Sequence, residues 1–266
     1  MGSMRLVMTA LCASVAMLAV CVGSVASASA AEPAFYECAK TTKENGKYKG
    51  HYSDSSCTVV NTEGTGEYEL QEGVGKGKAG RAKSGPMNWE VKGLGGWTCT
   101  SNSWTGWKWV SPKVADGIVI TFKGCQVNTV WVTSEGAKEE GEVITAPLKA
   151  EIAYTEGGAT KHEVGVLLTP ETGSYLVPMM HFWGDQMRLA GGIVGVVTSP
   201  SNVVSNEMTL LFKETAGVQA VRRLEGFSGE YSLETEINAG SGWGGPAPTG
   251  WEYEVTIKGE KLMLKA

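Results

Sequence analysis

Alternation of apolar and polar positions is the dominant pattern along this chain. Trp251, Tyr253, Val255 and Ile257 alternate with Glu252, Glu254, Thr256 and Lys258. That period of two places one face of a strand against a core and the other in water. Ile118 to Phe122 forms a β-branched run bounded by Gly117 and Gly124, and Met208 to Phe212 forms another after the Ser-Pro-Ser-Asn turn at 199–202. Weaker strand patterns cover 66–71, 87–92, 142–154, 163–169, 188–198, 219–225 and 230–236. Gly259-Glu260 reads as a two-residue hairpin turn leading into a last strand at 261–265. Lys213 to Leu224 has some helical character, weakened by Gly217 and two valines. Short strands separated by Gly-rich turns predict an all-β domain, an antiparallel sandwich or barrel. Gly73–Pro86 and Gly240–Gly250, with five glycines each, read as loops.

The apolar run at the N-terminus has a different meaning. Arg5 is the only charge before Glu32; Leu6 to Val22 is apolar, and Gly23 to Ala31 is a small-residue tract ending in Ala28-Ser29-Ala30. A basic start, an apolar stretch and an A-x-A end make a secretory signal peptide over 1–30, cut after Ala30 or Ala31. An uncleaved anchor is the first competing reading, because the apolar run is at the lower limit for spanning a bilayer. No basic cluster follows to hold a helix end at the membrane face, which argues against it. A lipid-attachment box at Leu18-Ala19-Val20-Cys21 is the second, and Val20 stands where such a box wants a small residue. Residues 31–266 then form one domain, with a disulfide-tied module at 31–72 as the alternative division.

Cleavage removes Cys12 and Cys21 and leaves Cys38, Cys57, Cys99 and Cys125. An even count in an exported chain reads as two disulfides, for which three pairings exist. Closure of short loops favours Cys38–Cys57 and Cys99–Cys125, each contributing about 3 kcal/mol. Zinc is a poor alternative: there is no C-x2-C spacing, and His51, His162 and His181 are scattered.

Composition narrows the picture further. With 42% hydrophobic residues the chain can build a core, and 36 glycines among 266 residues without a G-X-Y period indicate many tight turns rather than collagen. A formal charge of -5 speaks against a broad nucleic-acid-binding surface.

Several short motifs resemble a group of exported, β-rich actinobacterial proteins with paired cysteines and no assigned activity. They are Tyr36-Glu37-Cys38, Gly46-Lys47-Tyr48, Ser56-Cys57, Gly66-Glu67-Tyr68-Glu69-Leu70, Trp97-Thr98-Cys99, Phe122-Lys123-Gly124-Cys125, Gly141-Glu142-Val143-Ile144-Thr145 and Gly192-Ile193-Val194-Gly195. The resemblance implies export, β structure and disulfides. Relatives often carry two further cysteines, one where Val132 stands and one near Trp183, so apolar packing is expected to replace a disulfide there. The resemblance supplies no catalytic residue.

Catalytic signatures are missing. There is no G-x-S-x-G elbow and no H-E-x-x-H helix. His51 and Asp54 sit in a polar turn beside Cys57; Lys161-His162-Glu163 reads as a turn; His181, among Met179, Met180, Phe182 and Trp183, reads as a core or rim histidine. Asp54, Asp116 and Asp185 are too isolated for a calcium loop. Gly75-x-Gly77-x-x-Gly80 matches a dinucleotide fingerprint in letters only, since Ser84-Gly85-Pro86 follows and no helix pattern does. Lys76, Lys78, Arg81 and Lys83 read as a solvated hairpin rather than a site for an anionic polymer. Only three of the 28 acids are Asp, which leaves 25 Glu. A glycosidase-like pair among Glu139, Glu140 and Glu142, or Glu234 and Glu236, would leave no sequence motif. The expectation is no catalytic set, no metal and no cofactor.

The tryptophans carry the one positive signal. Of nine, Trp97, Trp104, Trp107 and Trp109 are crowded together, and Trp107 and Trp109 share one strand face with Lys108 on the other. Exposed, Trp104, Trp107, Trp109 and the loop residue Trp243 would make a platform for saccharide rings; buried, they fill a β core. The sequence therefore predicts a non-enzymatic exported protein with a binding or structural role at the cell envelope or outside the cell. Its expected partner is a cell-wall glycan or an envelope protein, with no nucleic acid and no membrane span once the leader is gone. Carbohydrate binding or polysaccharide hydrolysis by paired Glu is the alternative.

Overall fold

The computed structural model describes residues 32–73, 81–156 and 163–266. The leader with Cys12 and Cys21, the Gly75–Gly80 fingerprint with Lys76 and Lys78, and Lys161 and His162 lie outside the described residues. Every regular element among the described residues is a strand, and every pairing is antiparallel.

Eight strands close into a barrel: Arg81–Ser84, Ser101–Thr105, Val114–Lys123, Leu148–Tyr154, Val164–Pro170, Ile193–Val197, Val204–Phe212 and the middle of Ala247–Lys265. Each pairs with the next in chain order, and the last closes on the first through Ile257↔Ala82 and Val255↔Ser84. This is an up-and-down order, which leaves no exposed edge in the ring.

At one end of the ring the chain extends into a second sheet. The hairpins Met87–Val91/Gly95–Cys99 and Tyr175–Phe182/Asp185–Gly191, the strand Leu233–Asn238 and the start of Ala247–Lys265 are inserted between consecutive barrel strands and pair with one another. Gly191 and Gly192 are where the predicted 188–198 strand leaves this sheet for the barrel. Gly191 has φ 95°, and a Cβ there would run into the Ser232 carbonyl, so only glycine fits the turn.

Where the two sheets meet, large rings fill the interior. Trp89 stacks on Trp97 at 4.8 Å and lies 4.7 Å from Trp251 and 5.2 Å from Phe122. Phe212 stacks on Tyr253 at 4.8 Å. Burial pushes the Tyr253 hydroxyl well above the usual tyrosine pKa. At the other end of the ring the inward positions include Ala82, Ala115 and Ala150.

Both disulfides pair locally, with Cα separations of 5.7 Å for Cys38–Cys57 and 3.9 Å for Cys99–Cys125. The second is the tighter because Thr98 pairs with Gln126, setting the two cysteines opposite each other on neighbouring strands. The two bonds are compatible with an extracellular location.

Four local expectations change. Gly259-Glu260 is not a turn: Ala247–Lys265 is one strand of 19 residues, because Leu262–Lys265 pairs onward with Ala34–Glu37 instead of folding back. A bulge between the Glu207↔Lys258 and Ser205↔Leu262 pairs absorbs the interruption. Lys213–Leu224 is not helical, because Ala216 and Gly217, both at positive φ, close a hairpin between Glu214–Thr215 and Val218–Gln219. The rest of the predicted 219–225 strand is irregular, held by a Leu224↔Thr155 bridge. Finally, both predicted loops are partly strand: Arg81–Ser84 within Gly73–Pro86 is a barrel strand, and Ala247–Gly250 begins the last strand, each placed by its neighbours rather than by its own sequence. Among the described residues no helix is long and apolar enough to cross a membrane.

Candidate ligand-binding site at the barrel mouth

Trp104 points into the barrel from the strand Ser101–Thr105, and its indole N–H donates to the Asn102 side-chain oxygen at 3.0 Å. One residue later the alternation slips. Gly106 (φ 86°) and Gly117 (φ 78°) face each other so closely that a Cβ on Gly106 would lie 2.5 Å from the Gly117 carbonyl oxygen. Both strands step by one residue together here, so that Thr105↔Val119 and Lys108↔Asp116 keep one register while the inward set shifts from 102 and 104 to 107 and 109. The strand Lys108–Ser111 continues along the same neighbour through Lys108↔Asp116 and Trp109↔Ala115. Trp104 is 2% exposed and Trp107 5%, while Trp109 is half-buried. The exposed stacking row that the sequence allowed is therefore corrected. These indoles turn inward, because the step at Gly106 and Gly117 keeps them on the barrel's apolar face.

A second segment closes over them. The strand Ala34–Lys40 pairs with the end of the last strand (Phe35↔Leu264), and the Phe35 N–H donates to the Pro112 carbonyl at 2.9 Å. The Phe35 ring lies 4.6 Å from that of Trp109. Glu32 pairs with Lys113 beside it, which lowers the Glu32 carboxyl below the usual carboxylate range.

Beneath this roof the small side chains leave space. An inner cavity of about 40 Å³ is walled by Trp104, Trp107, Ala115, Ala150, Ile152 and Val166 among others, with no polar side chain in its wall. An outer cavity of about 60 Å³ opens beside it, with Ser199, Ser205, Asn206 and Glu207 on its rim. Phe35, Trp107, Trp109, Met208 and Ile257 line both. No polar atom faces the inner space, so that space favours apolar atoms.

Trp243 is not brought to this site. It bridges Asn238 in the second sheet and covers the Arg188 guanidinium at 4.1 Å, with Tyr175 on Arg188 at 4.5 Å. Glu236 holds the same Arg188 with an Nε contact of 2.7 Å. The other sequence candidates fall into structural roles. Glu142 is buried, accepts the Lys138 N–H at 2.7 Å and lies 3.7 Å from Lys123 Nζ; Glu139 pairs with the same lysine at 3.4 Å. Glu234 accepts from Ser232 at 3.4 Å. Asp54 spends its carboxylate on the Val59, Thr58 and Ser56 N–H groups, which hold its pKa down, while His51 contacts Glu69 at 2.6 Å. His181 is exposed rather than core, since its partner Thr133 sits at the border of the second sheet. Among the described residues no group of three His, Cys, Asp or Glu is placed to hold a metal.

Sequence reasoning missed Phe35, Met208 and the alanines. The alanines' signal, a small inward residue on each of several strands that meet in one layer, becomes visible only once strand order is known. It also missed the close pair Glu90 and Glu214, whose mutual repulsion raises the Glu90 carboxyl. No protein-family model, characterised protein or solved structure matches the chain.

Proposed function

We propose that this chain is an exported, non-enzymatic binding protein, acting at the cell envelope or outside the cell, that holds a small apolar molecule or the apolar end of a larger one in the barrel mouth. The observation that carries this reading is the pair of adjoining cavities under Phe35, Trp107 and Trp109, in a barrel whose other end is filled with rings. Two disulfides and the leader-like N-terminus support export. The test uses methyl-labelled methionine in the mature protein. Titrating 1-hexanol should shift the Met208 methyl saturably and leave those of Met87 and Met187, buried around the second sheet, unmoved. No shift, or an equal shift of all three, overturns the proposal.

Saccharide binding has one observation in its favour. Trp183 is 75% exposed at a hairpin turn, with φ 52°, a conformation bulky side chains rarely adopt. Trp131, 41% exposed, lies two residues from Thr133, which pairs with His181. A glycan array with the wild type and a Trp183→Ala variant tests it; silence from the wild type ends it.

A further inference from the structure

We infer that the occupant of the mouth is a neutral, single-chain amphiphile that enters tail first and leaves a hydroxyl-bearing head at the rim; this rests on the binding function proposed above. Three features of the two cavities carry it.

The first is a gradient of polarity. The inner cavity is walled by Ala115, Ala150, Ile152, Val166 and Leu210, together with indole and phenyl faces. A polar group there would give up its water with nothing to replace it. The outer cavity has the same aromatic wall on one side and Ser199, Ser205 and Asn206 on the other. The Ser199 hydroxyl and the Asn206 amide make no hydrogen bond to other described residues, whereas Ser205 already accepts the Glu207 N–H at 3.0 Å. Two uncommitted neutral polar groups thus stand where a ligand leaves the apolar wall.

The second is charge. The acid on the rim, Glu207, is paired with Lys258 at 2.6 Å. A carboxylate head would meet Glu207 and find no unpaired cation in the cavity wall, while a hydroxyl can both donate to Asn206 and accept from Ser199.

The third is shape. The spaces of about 40 and 60 Å³ adjoin through Phe35, Trp107, Trp109, Met208 and Ile257. Narrow linked spaces suit an unbranched chain better than a compact ring. Met208, unbranched and adaptable, is suited to moving aside for it.

A matched six-carbon set tests this with the full mature protein: 1-hexanol, hexanoate and cyclohexanol, each followed by the Met208 methyl shift. The expected order is 1-hexanol bound about tenfold more tightly than either of the others. The Ser199→Ala/Asn206→Ala variant, with both changes on the rim and an unaltered melting curve as control, should weaken 1-hexanol several-fold while the Met208 shift at saturation persists. If hexanoate or cyclohexanol binds as tightly as 1-hexanol, or the variant binds it unchanged, the amphiphile inference is overturned and the cavity-binding function stands. If none of the three moves Met208, the binding function itself fails.

Discussion

The two ends of the barrel are made from the same eight strands and differ in the side chains those strands carry inward. At the junction with the second sheet, Phe122, Phe212, Trp251 and Tyr253 converge with Trp89, and ring centroids lie 4.7–6.5 Å apart. At the mouth, Ala82, Ala115 and Ala150 occupy inward positions, and the bulky groups form a roof over a cavity. A barrel of this size has an interior just wide enough to be filled by side chains or to hold one small ligand. This one does both, at opposite ends. The filled end holds the ring together, and that frees the other from having to pack.

The largest effect that should separate the two ends is truncation of a ring. Trp251→Ala should lose about 3–5 kcal/mol of unfolding free energy, the range for large buried aromatics. Trp109→Ala, half-buried beside an existing cavity, should lose only about 1–2 kcal/mol. Urea titrations of both variants check this, and equal losses would mean the mouth is a packed core after all.

The disulfides sharpen the contrast at a somewhat smaller scale. Cys99–Cys125 ties the second sheet at the filled end, and Cys38–Cys57 ties the strand that carries Phe35. Replacing either pair by serine should cost about 3 kcal/mol by the loop-entropy model. Hydrogen exchange should place the consequences apart. Loss of Cys99–Cys125 should speed exchange through the whole core, and loss of Cys38–Cys57 should speed it mainly across 34–72. Global loosening by both would show that the Phe35 strand is integral to the core.

Adding volume should act with opposite sign at the two ends. A Cβ on Gly195 would lie 2.7 Å from the Phe212 ring, so Gly195→Ala should destabilise by about 1–3 kcal/mol through overpacking. Ala150→Val adds bulk facing the inner cavity. It should change stability by less than about 1 kcal/mol while weakening 1-hexanol binding. Thermal melts paired with the Met208 titration separate these outcomes.

Acid titration gives the smallest effects, both on the surface. The Asp54 carboxyl lies below its ordinary value of 3.8, chiefly through the Val59 N–H. The stability it lends is therefore present above that pH and lost as pH falls through the lowered value. Asp54→Asn should flatten the acid limb of the stability profile. Glu90 has the opposite sign: Glu214 raises it above 4.5, so stability declines as pH climbs from there through the raised value. Glu90→Gln should remove that decline. An unchanged profile in either variant would rule out that carboxyl as the source.

How much of this was legible in the chain follows from how far each interaction reaches. Strand character at 118–122, 208–212 and 251–258 was readable because apolar β-branched runs and alternation are local consequences of burying one or both faces of a strand. Short loops likewise made the cysteine pairing readable. The turn expected at Gly259 failed because a remote strand, Ala34–Lys40, supplies a partner that keeps the chain extended. The inward direction of Trp107 and Trp109 was decided by one contact between two glycine backbones, Gly106 and Gly117, that shifts the alternation by one residue. The mouth itself has no sequence signature at all. An alanine on a strand is unremarkable alone, and a cavity exists only where several of them meet at one level of a closed ring. Local chemistry determined the strands, the disulfides and the export-like leader. Closure of the ring, a property of all eight strands together, decided where the space for a ligand lies.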